Sequence, residues 1–84
     1  MENKDKNFAP DINNWVDEID SGDAGVEEIY DEDFVNYLKF MASKADEDMA
    51  EVINSYVDAL ESGDLWVGDI GADNFVWWAR KTVA

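Results

Sequence analysis

The chain has 84 residues, enough for one small domain, and its 21 Asp and Glu against 6 Lys and Arg give a formal net charge of -15 and an isoelectric point near 4.1. That balance excludes a basic nucleic-acid-binding surface and sets the chain against anionic membranes. At 46% hydrophobic and 13% aromatic residues it still lies outside the composition of disordered acidic tails, so residues 1–84 are expected to fold as one domain.

Without cysteine there is no disulfide, thiol nucleophile or thiolate site, and without histidine the usual general base and commonest zinc ligand are missing. The opening MENKDKNFAP is too polar for a signal peptide, and no apolar run reaches the ~18 residues of a membrane span. The expectation is a cytoplasmic protein, in the host cytoplasm if a phage encodes it.

Taken in order, residues 1–9 read as a flexible N-terminus. Ile12, Trp15, Val16 and Ile19 then fall at i, i+3, i+4 and i+7, a helix face that Pro10 suits as a first-turn residue. Ser21-Gly22-Asp23 ends it, with Gly22 in the left-handed conformation. A loop carrying Val26 and Ile29 follows. Asp31, Glu32 and Asp33 then suit the start of a second helix over about 32–44, whose apolar positions are Phe34, Leu38, Met41 and Ala45. Between Lys44 and Asp46 no Gly or Pro enforces a break, which leaves a tight turn or a continuous helix open. Met49, Val52, Ile53, Tyr56, Val57 and Leu60 make one apolar stripe that Ser62-Gly63-Asp64 ends. The last helix, from about Asp73, carries Phe75, Val76, Trp77, Trp78, Ala79 and Val83 and reads as a central core helix, apolar nearly all round.

The chain also repeats itself. Residues 12–39 align with 53–80 without a gap, and 11 of 28 positions are identical, including Ile12/Ile53, Val16/Val57, Gly22/Gly63, Val26/Val67, Ile29/Ile70 and Phe34/Phe75. Trp15/Tyr56, Asp20/Glu61, Tyr37/Trp78 and Lys39/Arg80 are conservative pairs. The period is 41 residues, which predicts a mainly α, four-helix domain built from two helix-loop-helix units. The equivalent loops 25–30 and 66–71 can pair as a short two-stranded ribbon; Val26 and Ile29, three apart, fit a single helical turn equally well.

Charge is segregated: ten acidic residues and no basic one lie between Asp11 and Asp33, and nine more, again without a basic one, between Ala45 and Ala79. On the third helix Glu47, Glu51, Asp58 and Glu61 fall opposite the apolar stripe, and carboxylates at i, i+4 stand about 6 Å apart, close to phosphate spacing along a strand. A charge run is ordinarily a solvated helical face. Here the like charges cost about 0.2–0.5 kcal/mol per i, i+4 pair, which interleaved lysines would have avoided. Partner-binding candidates are therefore Glu47, Glu51, Asp58 and Glu61, with Asp17, Glu18, Glu27 and Glu28 from the first block. Trp66 joins them as an exposed aromatic, because Gly25 stands at its equivalent position.

Chemical motifs fail in turn. A calcium-loop register from Asp17 to Glu28 puts Ile19 where an oxygen is needed, and one from Asp20 puts Gly22 and Ala24 there. There is no phosphate-binding Gly-rich loop with Lys and no nucleophile elbow. No enzyme, metal or cofactor is expected.

Size, charge and missing chemistry resemble the acidic nucleic-acid mimics of phages and mobile elements, antirestriction, glycosylase-inhibitor and anti-CRISPR proteins among them. No motif aligns, so no functional residue carries over. Residues 15–22 and 56–63 also resemble a W-V-x-A-L-x-S-G-x pattern of small phage proteins, which continue into a Cys-containing segment absent here. The resemblance implies a non-catalytic inhibitor whose carboxylates stand in for DNA or RNA phosphates in the groove of a host nucleic-acid-binding protein or nucleoprotein, such as a CRISPR effector, a restriction or repair enzyme or a nucleoid protein. It implies no direct nucleic-acid or membrane binding, and a monomer or homodimer. The alternative is an acidic helical interaction module, an antitoxin or regulatory adaptor, that binds a basic partner.

Overall fold

The computed structural model describes residues 8–83, and five α-helices with one 3-10 turn account for about four-fifths of them. Four helices are long: α1 (Ala9–Ser21), α2 (Asp31–Lys44), α3 (Glu47–Ser62) and α5 (Ala72–Thr82). A 3-10 turn, Val26–Glu28, precedes α2, and the single-turn helix α4 (Val67–Ile70) precedes α5. Of the N-terminal stretch 1–9, residues 1–7 lie outside the described part. Phe8 packs edge-on against Tyr37 and Phe40, and Ala9 opens α1.

The local chemistry explains the boundaries. Gly22 and Gly63 hold φ of 90° and 86°, and no atom would meet a Cβ on either, so backbone conformation alone requires glycine there. Behind each, the same pair of hydrogen bonds closes the helix end: Gly22 N–H to Ile19 O and Asp23 N–H to Glu18 O in one half, Gly63 N–H to Leu60 O and Asp64 N–H to Ala59 O in the other. Between α2 and α3 the chain breaks at Ala45 and Asp46, both extended, and the Asp46 carboxylate accepts from Met49 N–H at 2.8 Å as an N-cap. An aspartate cap thus does what no Gly or Pro was present to do.

The two loops are helical turns, and no strand occurs among the described residues, so the ribbon alternative falls. The reason is local satisfaction. Glu28 N–H donates to Gly25 O, and Gly25 N–H returns to the Glu28 carboxylate at 3.2 Å; Asp69 N–H donates to Trp66 O, and Trp66 N–H returns to Asp69 at 3.1 Å. Each turn sends two side chains inward, Val26 with Ile29 and Val67 with Ile70, all buried.

The long helices pair across the repeat rather than within it. α2 packs on α3 and α1 on α5, while α2 meets α5 and the 3-10 turn meets α4. Exchanging equivalent residues of the two halves maps these four pairings onto themselves, the mark of an approximate two-fold relation, while the contact of α4 with α5 is made within the second half. Phe34 and Phe75, both fully buried, stack at 5.3 Å between ring centroids and 24° between planes, and each is the other's counterpart. Ile12 and Ile53, Val16 and Val57, and Tyr37 and Trp78 complete the paired core.

Two sequence expectations need correction. Val52, assigned to the apolar stripe of α3, is 48% exposed: on the helix it lies about 100° from Ile53, one of the two side chains that α3 buries, while Met49, Tyr56 and Leu60 border the buried face. The last helix is not enclosed. α5 buries Phe75, Trp78 and Ala79 and turns Trp77 outward at 53% exposure.

Candidate acidic surface and aromatic groove

Every acidic residue from Asp11 to Asp73 is exposed, and no charged or polar residue is buried among the described residues. Helix propensity and capping place them: Asp31, Glu32 and Asp33 fill the first turn of α2, and Glu47 and Asp48 that of α3, where they complement the positive end of the helix dipole. Glu47, Glu51, Asp58 and Glu61 lie within an arc of about 80° on α3, so the predicted row exists. It flanks the buried face of the helix rather than opposing it. That displacement brings Glu61 beside α2, where Lys39 Nζ approaches its carboxylate to 2.9 Å. Glu61 therefore leaves the free row, which reduces to Glu47, Glu51 and Asp58.

The ion pair has a counterpart. Arg80 Nη2 reaches Asp20 at 2.6 Å across α5 and α1, and Asp20/Glu61 and Arg80/Lys39 are equivalent positions of the repeat. These two are the ion pairs among the described residues, and the remaining described carboxylates are exposed and outside ion-pair distance of any described cation. Asp17, on α1, is the counterpart of Asp58 on α3. Glu18 is exposed beside it, Glu27 lays its carboxylate against Gly25, and Glu28 is engaged in capping the turn. With α1 packed on α5 and α3 on α2, the structure leaves these candidates on separate helices and does not gather them into one cleft.

Among the described residues one titration is displaced. Burial pushes the Tyr37 phenol above its ordinary value of 10.0, and the nearby charges of Asp11 and Asp33 push the same way against a hydrogen bond from Trp15. No cluster of three or more acidic side chains able to hold a metal ion is present among the described residues.

Grooves follow the repeat as well, and here the halves part. A shallow groove of about 270 Å³ in the first half is lined by Asp31, Glu32, Val35, Asn36, Lys39 and Glu61. Its counterpart, of about 360 Å³, is lined by Ala72, Asp73, Val76, Trp77, Arg80, Asp20 and Ile19, so that Trp77 replaces Asn36. Trp77 is also the wall of a third groove, about 350 Å³, formed with Met49, Val52 and Trp78 and rimmed by Asp46 and Asp48. Lys81 lays its ammonium 4.6 Å from the centre of the Trp77 ring.

Trp66 is exposed as expected, at 57%, with its ring lying over Gly68. The site residue that sequence reasoning passed over is Val52. Its signal was present: the equivalent position holds Asp11, and Asn36 stands opposite Trp77, so the repeat itself marks both positions as solvent-facing.

Fold and surface together define a small all-α domain of two equivalent halves, with a carboxylate exterior and grooves on either side of Trp77. No protein-family model matches the chain, and no curated protein or solved structure matches it either.

Proposed function

We propose that the protein is a non-catalytic inhibitor that presents carboxylates in place of DNA or RNA phosphates and occupies the basic groove of a nucleic-acid-binding protein, as phage and mobile-element inhibitors do. The observation that supports this is the state of the charge: ten acidic residues between Asp11 and Asp33 and nine between Asp46 and Asp73 are all exposed, and among the described residues ion pairs engage Asp20 and Glu61 alone of these. A domain that leaves so much like charge unneutralised gives up stability through self-repulsion. Basic grooves draw most of their affinity from phosphate charge, so an array of carboxylates mounted on helices competes for the same energy.

The test is competition with nucleic acid for a basic nucleic-acid-binding target, at rising ionic strength. Binding is expected to displace DNA or RNA and to weaken steeply between about 50 and 500 mM salt. Changing Glu51 and Asp58 together to Lys removes no buried contact and lowers the net negative charge by about four, so the fold persists while inhibition falls by at least about a hundredfold. Salt-insensitive binding that leaves the nucleic acid in place would reject the reading.

A further inference from the structure

The groove between α3 and α5 asks for a separate explanation. Its exposed apolar residues, Val52 at 48% and Trp77 at 53%, correspond to Asp11 and Asn36 in the first half, so the shared scaffold tolerates polar side chains at both places. Keeping them apolar in one half alone is not a demand of folding. The floor is firm: Trp78 is buried and packs on Tyr56 at 5.3 Å. The rim is acidic, with Asp46 and Asp48 on one side, neither in an ion pair among the described residues. The Trp77 ring also attracts positive charge, since the Lys81 ammonium lies 4.6 Å from its centre.

We infer that this groove is a docking site for a protein segment carrying a bulky apolar side chain flanked by Lys or Arg: the side chain enters between Met49, Val52 and Trp77, and the flanking cations meet Asp46 and Asp48. A net charge of -15 opposes a second copy of the chain as occupant, and the same charge draws a basic segment in. The inference stands apart from phosphate mimicry, because it concerns short-range apolar contact that salt does not screen.

The experiment uses the full chain and two synthetic helical peptides of Lys and Ala, about 16 residues long, identical except that one carries Leu at i, i+3 and i+7 where the other has Ala. Binding is followed by calorimetry, and by the indole N–H resonance of Trp77. The Leu peptide is expected to bind about tenfold or more tighter than its Ala twin, and to keep that ratio at about 500 mM salt, as burial of apolar side chains requires. Val52→Asp and Trp77→Asn, each installing the residue that the first half carries, should abolish the ratio, whereas Tyr30→Ala, which removes another exposed aromatic, should preserve it. Circular dichroism confirms folding, and Val52→Asn is the charge-neutral substitute should the aspartate variant unfold. Equal binding of the two peptides, an unmoved Trp77 resonance, or a Leu preference that survives Trp77→Asn in folded protein overturns the inference. Concentration-dependent self-association that Trp77→Asn removes does so as well, because the occupant is then a second copy. Failure of phosphate mimicry is read elsewhere, in the nucleic-acid competition.

Discussion

The two halves of this protein share a core and differ at the surface. Inside, counterparts match almost side chain for side chain: Ile12 with Ile53, Val26 with Val67, Phe34 with Phe75, Leu38 with Ala79, every one buried. Outside, Asp11 corresponds to Val52, Asn36 to Trp77, and Gly25 with Glu27 to Trp66 with Gly68. The last exchange trades bulk within one turn: in the first half a carboxylate covers Gly25, in the second an indole covers Gly68. The equivalence therefore belongs to folding and the divergence to whatever the surface meets.

The sharpest way to break the comparison is at its centre. Phe34→Ala and Phe75→Ala each empty half of one stacked pair and are expected to cost about 3–5 kcal/mol, the same within error, by urea denaturation. A large inequality would mean that the halves are not energetic equivalents. Next come the backbone positions. Gly71 sits at φ 90° and ψ 143°, which other residues rarely adopt, while its counterpart Tyr30 is ordinary extended chain. Gly71→Ala should lose about 1–3 kcal/mol and Tyr30→Ala close to nothing. Gly22→Ala and Gly63→Ala should lose similar amounts to each other, about 1–2 kcal/mol.

How much of this was readable in advance follows from the same division. Helix positions, the glycine ends and the paired core came from apolar spacing and from the repeat, because burial imposes a periodicity that survives in a bare sequence. The exposed state of Val52 did not, because hydropathy alone assigns a valine near Ile53 to the core; only Asp11, 41 residues earlier, contradicts that. Ion pairing was half legible. Asp20/Glu61 and Lys39/Arg80 appear as conservative pairs, yet which acid meets which base depends on helices pairing across the repeat, which no local pattern encodes. The candidate surface was legible as charge and illegible as geometry, since exposed carboxylates have no packing partner to fix them.

Smaller effects refine the comparison further. Removing either ion pair, by Asp20→Asn or Glu61→Gln, should cost at most about 1 kcal/mol, because all four side chains are about half exposed and solvent screens them. Added salt should stabilise the parent protein all the same, by screening the surplus negative charge, and melting temperature against sodium chloride measures the balance. The smallest effect is alkaline. Folding favours the neutral Tyr37 phenol, so its contribution is intact below pH 10.0 and is lost as pH rises through the higher value of the folded state. Tyr37→Phe should remove that slope from a stability profile between about pH 9 and 11. Trp78, its counterpart, does not titrate, so the second half has no equivalent loss.

The crossed pairing of helices bears on how the protein comes apart. Since α1 finds its main neighbour in α5 and α2 in α3, neither 41-residue unit encloses a core of its own. There is no half that can stay folded while the other opens. Amide protons on all four long helices should then share one slow exchange class governed by global unfolding, without the graded protection of a protein whose parts open separately. Cutting the chain between Ala45 and Asp46 should leave two fragments, each unfolded alone, that recover helicity only on mixing. Ordering of either unit is thus a bimolecular event carried out within a single molecule, and the Ala45–Asp46 joint sets the local concentration at which its two parts meet.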